Sequence, residues 1–527
     1  MITRLRKTAL LVATALLLAL LGAASPARAG SYVAISGSGS SWSSVALDQW
    51  SQDVRPNGIV VNFNPDGSAA GRQDYMSNQV DFAASDPPFR NGSDKLGNAG
   101  AEHPSTGFSY IPDTAGGTAF MYHLTVAGKL VTNLRLSGKT IMKIFTGQIT
   151  NWDDKQITKD YGAQLPSEKI TPVIRSDGSG ATFFFTRWMA HTFPSDWNAF
   201  CVRVTHGRVR PPCGQTEFFP QFPGSDSQAG SNNVATYITA TFGEGSIGYD
   251  EYAYALNSHY PVVKVLNPAG YYVLPSASNV AVALTQAKIN ENQGSPDFLQ
   301  QNLDSVYTYK DPRSYPLSSY SYLIVPRTGA RVPPNFTSAN GRTLSTFVNF
   351  FLCGGQRQAA ELGYSPLPIN LVEGGFLQVN RIPGHVPTPA ASTLNSCQNP
   401  TFLHGKNILL STAPQPSPCD KVGEPLNCIV VNGKATTPGA AGAIGPSATA
   451  SAGATTGPTS GPVPVSSGAP GVARPTVPVT GTVVNVAAST NDNGMLAVLT
   501  AVEIVLAIAA PPAIYAVFRR RRRQAAR

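Results

Sequence analysis

Between Gly433 and Gly494 the chain is built almost entirely of Ala, Gly, Pro, Ser, Thr and Val. A stretch with so few aromatic and charged groups cannot bury a core, so any globular core must lie outside it. We expect residues 433–494 to form a disordered stalk. Its root-mean-square span as a flexible chain is roughly 40–45 Å, and longer where proline stiffens it.

The two ends carry further limits. Arg4, Arg6 and Lys7 precede an apolar run from Ala9 to Leu21, and Ala27-Arg28-Ala29 follows, which reads as a secretory signal peptide over residues 1–29. No Cys lies just after the apolar run, which disfavours a lipoprotein anchor. At the far end Met495 to Phe518 is apolar for about the ~20 residues a bilayer requires. Arg519 to Arg523 follow at once, opening a basic tail over 519–527. The positive-inside rule puts this tail in the cytoplasm and the body outside, anchored to the outer face of the cell membrane by one C-terminal transmembrane helix. Glu503 and Pro511-Pro512 interrupt the span, and a removable sorting tail is the alternative.

The formal net charge of +9 comes from the two ends. Between them, 29 basic residues face 29 carboxylates, so the composition gives no ground for a nucleic-acid partner. Six cysteines in an exported chain favour disulfides. Spacing suggests Cys201 with Cys213 and Cys419 with Cys428, leaving Cys353 for Cys397, although connectivity cannot be deduced from sequence. There is no C-x-x-C or mixed Cys/His cluster, which disfavours zinc.

From about Gly30 to Val431 the texture is globular, and a body of this length predicts two domains. Ile59–Phe63, Thr118–Tyr122, Ile170–Ile174 and Tyr322–Val325 read as strands. Val45–Asp53, Gly138–Phe145, Thr182–Met189 and Leu344–Leu362 read as helices between or after them. The alternation predicts an α/β fold with largely parallel sheets, in which ligands sit at the carboxyl ends of the strands.

Four segments place small polar residues just after a strand. Arg175-Ser176-Asp177-Gly178-Ser179-Gly180 joins a strand to a helix and combines a cation, a counter-carboxylate and glycines that permit close backbone approach. The free N–H groups and positive dipole end of the helix point to the same place, which suits a small oxyanion. Ile35 to Trp42, Asn64 to Gly71 and Asp81 to Pro88 have the same character. Any one of them is also an ordinary capped helix start; four together point to a site.

In these segments the chain resembles the PstS-type phosphate-binding proteins that feed phosphate ABC importers. Gly37-Ser38-Gly39-Ser40-Ser41-Trp42 is similar to the family's Gly-x-Gly-x-Thr-Phe, and Gly67-Ser68 to its Gly-Ser turn. Val80-Asp81-Phe82-Ala83-Ala84-Ser85-Asp86 is similar to its Val-Asp-Phe-Gly-Ala-Ser-Asp, and Arg175 to Ala181 to its Arg-x-Asp-Gly-Ser-Gly-Thr. Supporting segments continue in order to Leu362–Pro368, so the likeness covers about Ser36 to Pro368.

The resemblance implies a two-lobed periplasmic-binding-protein-like α/β fold, closing by a hinge over a ligand in the cleft between the lobes. Lobe I would be residues 30–115 and 316–412, lobe II residues 116–315, and 413–432 a disulfide-containing extension. It also implies a phosphate shell of Ser41, Trp42, Ser68, Asp86, Arg175, Ser179, Gly180 and Ala181, with Asp177 and Thr182 behind it. No cofactor and no metal are implied, and the partners are phosphate and the permease and ATPase of an importer. Three positions depart from the pattern: Ser41 for Thr, Trp42 for Phe, and Ala181 for a hydroxyl residue. The last removes a donor that Thr182 could replace. Glu251 and the aromatics around it are candidates for a supporting or lobe-contact role.

Two other classes compete. A secreted phosphoryl hydrolase would also use Ser, Asp and Arg, but the sequence has no Gly-x-Ser-x-Gly elbow, His-Glu-x-x-His pair or Gly-x-x-x-x-Gly-Lys loop, and its seven histidines are scattered. A serine without a nearby base or metal is inert, so we expect no enzyme. A membrane-tethered phosphate sensor is the remaining alternative.

Overall fold

A computed structural model describes residues 32–390, 394, 397, 399–403 and 406–437. The signal peptide, nearly all of the stalk, the apolar span and the basic tail lie outside the described residues. Among those described, no helix is long and apolar enough to cross a membrane.

Strand and helix alternate from the start. β1 (Ile35–Gly39) leads into α1 (Ser44–Val54), β2 (Val61–Asn64) into α2 (Ser68–Met76), and β3 (Phe82–Ser85) into a long loop. The long strand β4 (Phe108–Tyr122) follows. Beyond it, β5 (Thr171–Arg175) leads into α3 (Gly180–Thr192), β6 (Asp226–Gln228) into α4 (Ser231–Thr239), and β7 (Ser246–Glu251) into α5 (Tyr252–Asn257). The chain returns through β8 (Ser318–Pro326) and α6 (Ser338–Leu352). Together the strands form one eight-stranded sheet in the order β2-β1-β3-β8-β4-β7-β5-β6.

The expected parallel pairing holds within each lobe and fails at the join. β1 is parallel to β2 and β3, and β5 to β6 and β7. β4 and β8, however, are antiparallel to each other, β8 is antiparallel to β3, and β4 to β7. The chain passes from the first lobe to the second along β4 and comes back along β8, so these neighbours must run in opposite directions. β4 changes partner midway, with Gly117 opposite Ser318 of β8 and Thr118 opposite Glu251 of β7. A Cβ on Gly116 at this crossing would lie 2.6 Å from Glu251 Oε1 and 2.7 Å from the Trp42 ring. Any side chain there would have to displace the Glu251 carboxylate and the Trp42 ring.

Each lobe has an aromatic core. In the first, Trp50 stacks on Phe351 at 5.0 Å beside buried Phe82, Ile111 and Leu323. In the second, Phe120, Phe145, Phe219 and Tyr249 surround Phe185 at 4.9–6.2 Å. Each such side chain stabilises the fold by about 1.5–3 kcal/mol through removal from water.

The amphipathic stretch 344–362 is not one helix. α6 ends at Leu352, and a 3-10 turn covers Gly354–Gln358. Cys353 is drawn into a disulfide with Cys397, and the Gly355 carbonyl turns inward to accept the Trp50 indole N–H at 3.0 Å. All three cysteine pairs suggested by spacing are formed. The Cys419–Cys428 extension lies against the second-lobe segments, through the ion pair of Lys264 with Asp420 at 2.6 Å and the Val422 N–H on Gly270 O at 2.8 Å.

Candidate functional site

The turn after β1 is held to β3 by Ser40 N–H donating to Ala84 O at 2.8 Å. That places the Ser40 hydroxyl on the buried Asp86 carboxylate, 2.8 Å from Oδ1 and 3.0 Å from Oδ2. Ser68, at the first position of α2, donates to Asp86 Oδ2 at 3.1 Å. Ser321 donates to Oδ1 at 2.6 Å, and it stands where the β8 register shifts between Tyr320 and Tyr322. Such an irregularity re-aims a side chain out of the pleat. Burial pushes the Asp86 carboxyl up, and the hydroxyls of Ser321, Ser40 and Ser68, with the Arg175 charge, oppose it.

Arg175 ends β5 with its guanidinium buried. Nε donates to Asp177 Oδ1 at 2.7 Å and Nη2 to Asp177 Oδ2, a two-point grip. Nη2 also reaches Ser41 Oγ at 2.9 Å and Nη1 reaches Ser231 Oγ at 3.1 Å, while Asp250 Oδ1 lies 3.9 Å from Nη1. Burial alone would lower the arginine, but the charges and hydrogen bonds of Asp177 and the Asp250 charge outweigh it and hold it protonated. Ser41 and Ser231 hydroxyls meet at 2.8 Å, joining a first-lobe turn to the start of α4.

Ser179 is the N-cap of α3, its hydroxyl accepting from Thr182 N–H at 3.4 Å. Gly180 brings the helix start against the first lobe. A Cβ there would lie 1.8 Å from Asp86 Oδ2, so no other residue permits this approach. The positive end of the α3 dipole thereby faces Asp86.

Ser41, Ser68, Asp86, Arg175, Ser179 and Gly180, foreseen from sequence, therefore converge. Trp42 is present through its backbone, with its N–H on Ser40 Oγ at 3.1 Å, and its ring packs edge-on against Tyr364. Ala181 is buried in the first turn of α3. The Thr182 hydroxyl pairs with the Tyr249 hydroxyl at 2.7 Å, and Tyr249 in turn accepts the Arg175 N–H at 3.2 Å. Thr182 thus supports the arginine strand from behind.

Sequence reasoning missed Ser40, Ser231, Asp250 and Ser321. One signal was available for Ser231. It follows Gly230 (φ 74°) at the start of α4 just as Ser68 follows Gly67 (φ 105°) at the start of α2. Ser321 has no local signal, because only the strand irregularity aims it.

Behind the site lie further buried acids. Burial pushes Asp250 up to about 6. Burial, reinforced by the charge of Asp86, raises Asp113 well above the carboxylate range. Burial, reinforced by Asp250 and Asp86, does the same to Glu251. Glu251 Oε2 caps α5 by accepting Ala253 N–H, and Oε1 has no hydrogen-bond partner among the described residues. A carboxyl raised on folding contributes stability that is full below its unfolded value and is lost as pH rises toward the folded one. Glu251→Gln keeps the capping oxygen and removes the titration. The variant should therefore gain stability relative to the parent as pH rises above about 4.5, by up to about 1.4 kcal/mol per pH unit, with a melting temperature that rises accordingly. Parallel melting curves across pH 5–8 would show the acid to be ionised at no cost.

A family model described as a PBP superfamily domain matches residues 22–354. The phosphate-binding protein PstS of Xylella fastidiosa is 30% identical over 345 residues, covering 65% of this chain and 83% of that one. The phosphate-binding protein PstS of Haemophilus influenzae is 30% identical over 345 residues, covering 64% and 90%. Among solved structures, a high affinity periplasmic phosphate-binding protein bound with phosphate is 18% identical, covers 69% of this chain and 98% of that one, and has a TM-score of 0.49.

Proposed function

We propose that this chain, which belongs to the PstS-type phosphate-binding proteins of the PBP superfamily, holds inorganic phosphate between its lobes outside the cytoplasm and delivers it to the permease and ATPase of an ABC importer. The observation that carries the ligand assignment is Asp86, a buried carboxylate already taking three hydroxyl donors and facing a helix N-terminus. Around it carboxylates outnumber the cations paired with them, since among the described residues Arg175 alone lies within 4.0 Å of Asp177 and Asp250, with Asp86 nearby. An oxyanion here depends on neutral donors more than on charge: the hydroxyls of Ser41 and Ser179, the N–H groups of Gly180 and Ala181, and the Arg175 N–H groups not gripping Asp177, joined by the Ser68 hydroxyl and the Trp42 N–H once these turn from Asp86 and Ser40 to the ligand. An ionised Asp86 can accept a hydrogen bond only from an oxyanion that keeps a proton. Phosphate does so near neutrality and sulfate does not.

The lobes in this reading are residues 30–115 with 316–412, and 116–315, hinged where β4 changes partner. Calorimetric titration of the purified full-length protein tests the assignment. Phosphate should bind and sulfate should be weaker by roughly 10⁴–10⁵, because a site built around a proton donor leaves its acceptor unpaired with an analogue that lacks one. Arsenate, with the same proton and geometry, should compete. No heat with phosphate would overturn the reading.

Export and tethering belong to the same proposal. The leader over residues 1–29, three disulfides and the apolar segment 495–518 before Arg519–Arg523 support a body displayed on the outer face of the membrane. The extension that leads to the stalk runs against the second lobe, so the tether would pull from that side.

A further inference from the structure

Beside the cleft, four charged side chains close a square. Arg72 of α2 donates from Nε to Glu102 Oε2 at 2.8 Å and from Nη2 to both oxygens of Glu217 at 2.7 Å. Arg90 donates from Nη1 to Glu217 Oε1 at 2.8 Å and lies 2.9 Å from Glu102 Oε1 through Nη2. Arg72, Glu102 and Arg90 belong to the first lobe, on α2 and the loop after β3.

Glu217 comes from the other lobe. Its neighbour Thr216 is fastened to α3 twice, by its N–H on Thr186 Oγ1 at 3.0 Å and by its carbonyl accepting the Thr186 hydroxyl at 2.8 Å. Phe219 packs into the second-lobe core against Phe185 and Trp197. From this anchored strip the Glu217 carboxylate crosses into the first lobe. Asp94 receives the strip there, accepting the Thr216 hydroxyl at 2.7 Å and the Glu217 N–H at 3.1 Å.

The square touches the proposed phosphate cage at both ends. Arg72 Nη1 donates to Ser85 Oγ, adjacent to Asp86, at 2.8 Å. The Glu217 carbonyl accepts the N–H of the α3 cap residue Ser179 at 3.0 Å. Charges balance only when the lobes meet, because without Glu217 the first lobe holds two guanidiniums against one carboxylate. Buried paired charges are costly to break from one side.

We propose that Glu217 is an inter-lobe latch, which closes on Arg72 and Arg90 as the lobes shut and slows release of the bound anion. The proposal rests on the phosphate reading above. In the separated state the uncovered guanidiniums draw the anion toward Ser68 and Asp86, and on closure Glu217 takes their charge.

The test measures inorganic phosphate binding and release by the full-length protein carrying Glu217→Gln. Losing one charge-assisted contact set should raise Kd by roughly 10- to 100-fold. The change should appear in the dissociation rate, with the association rate within about threefold. The melting temperature without phosphate should stay within about 2 °C of the parent, because the open state does not use the latch. Arg90→Gln, at a partly exposed partner, should speed release in the same direction and to a smaller extent. Dissociation rates within about twofold of the parent in both variants would overturn the latch while leaving phosphate binding intact. An equal loss of melting temperature with and without phosphate would overturn it too, reducing Glu217 to a structural ion pair. Failure of the unaltered protein to bind phosphate would instead overturn the reading on which it rests.

Discussion

Arg175→Met is expected to abolish measurable phosphate binding and to cost about 3–5 kcal/mol of stability, the range for removing one partner of a buried pair. The guanidinium is the only cation facing Asp177 and Asp250 within 4.0 Å among the described residues. It also ties Ser41 of the first lobe to Ser231 of the second. Methionine fills the volume and supplies none of these donors. Two acids would be left without a counter-charge, of which Asp250 is the more buried and the more expensive. Arg175→Lys should be intermediate, since a point charge cannot reproduce the two-point fork on Asp177. Denaturant unfolding reads the stability change and calorimetry the binding. Retention of phosphate affinity within about tenfold in the methionine variant would show that the arginine is structural alone.

Asp86→Asn is expected to act on selectivity. In the parent, phosphate should exceed sulfate by roughly 10⁴–10⁵; in the variant the ratio should fall below about 10². Asparagine keeps an oxygen that the Ser40 and Ser321 hydroxyls can reach, so the side chain stays oriented. Its amide nitrogen replaces Oδ2, the oxygen beside Gly180 and Ser68. That atom donates where the carboxylate accepted. Phosphate loses the acceptor for its proton, while sulfate gains a donor. Titrating both anions into both proteins gives the four affinities required. A ratio unchanged in the variant would remove Asp86 from the selectivity argument.

Much of this site is readable along the chain because its parts are local. Arg175, Asp177, Ser179 and Gly180 lie in one turn, and the strand before it and the helix after it follow from apolar spacing. Gly67-Ser68 and the Asp86 strand end are equally local patterns. The cysteine pairs were suggested by spacing, which works for loops as short as those of Cys201–Cys213 and Cys419–Cys428. The helix expected over 344–362 shows where local reading stops. Its break at Cys353 depends on Cys397 and on the Trp50 indole, which are distant in sequence.

From sequence alone came the α/β alternation and a set of residue types suited to a small oxyanion, because composition and hydrophobic spacing act over neighbouring residues. Tertiary structure decided the antiparallel join through β4 and β8, the aim of Ser321 and Ser231, and the meeting of Glu217 with Arg72. Those depend on which strands become neighbours and how closely the lobes approach. Burial then sets their strength, since a hydroxyl or carboxylate acquires its weight in the cleft only when water no longer competes for it.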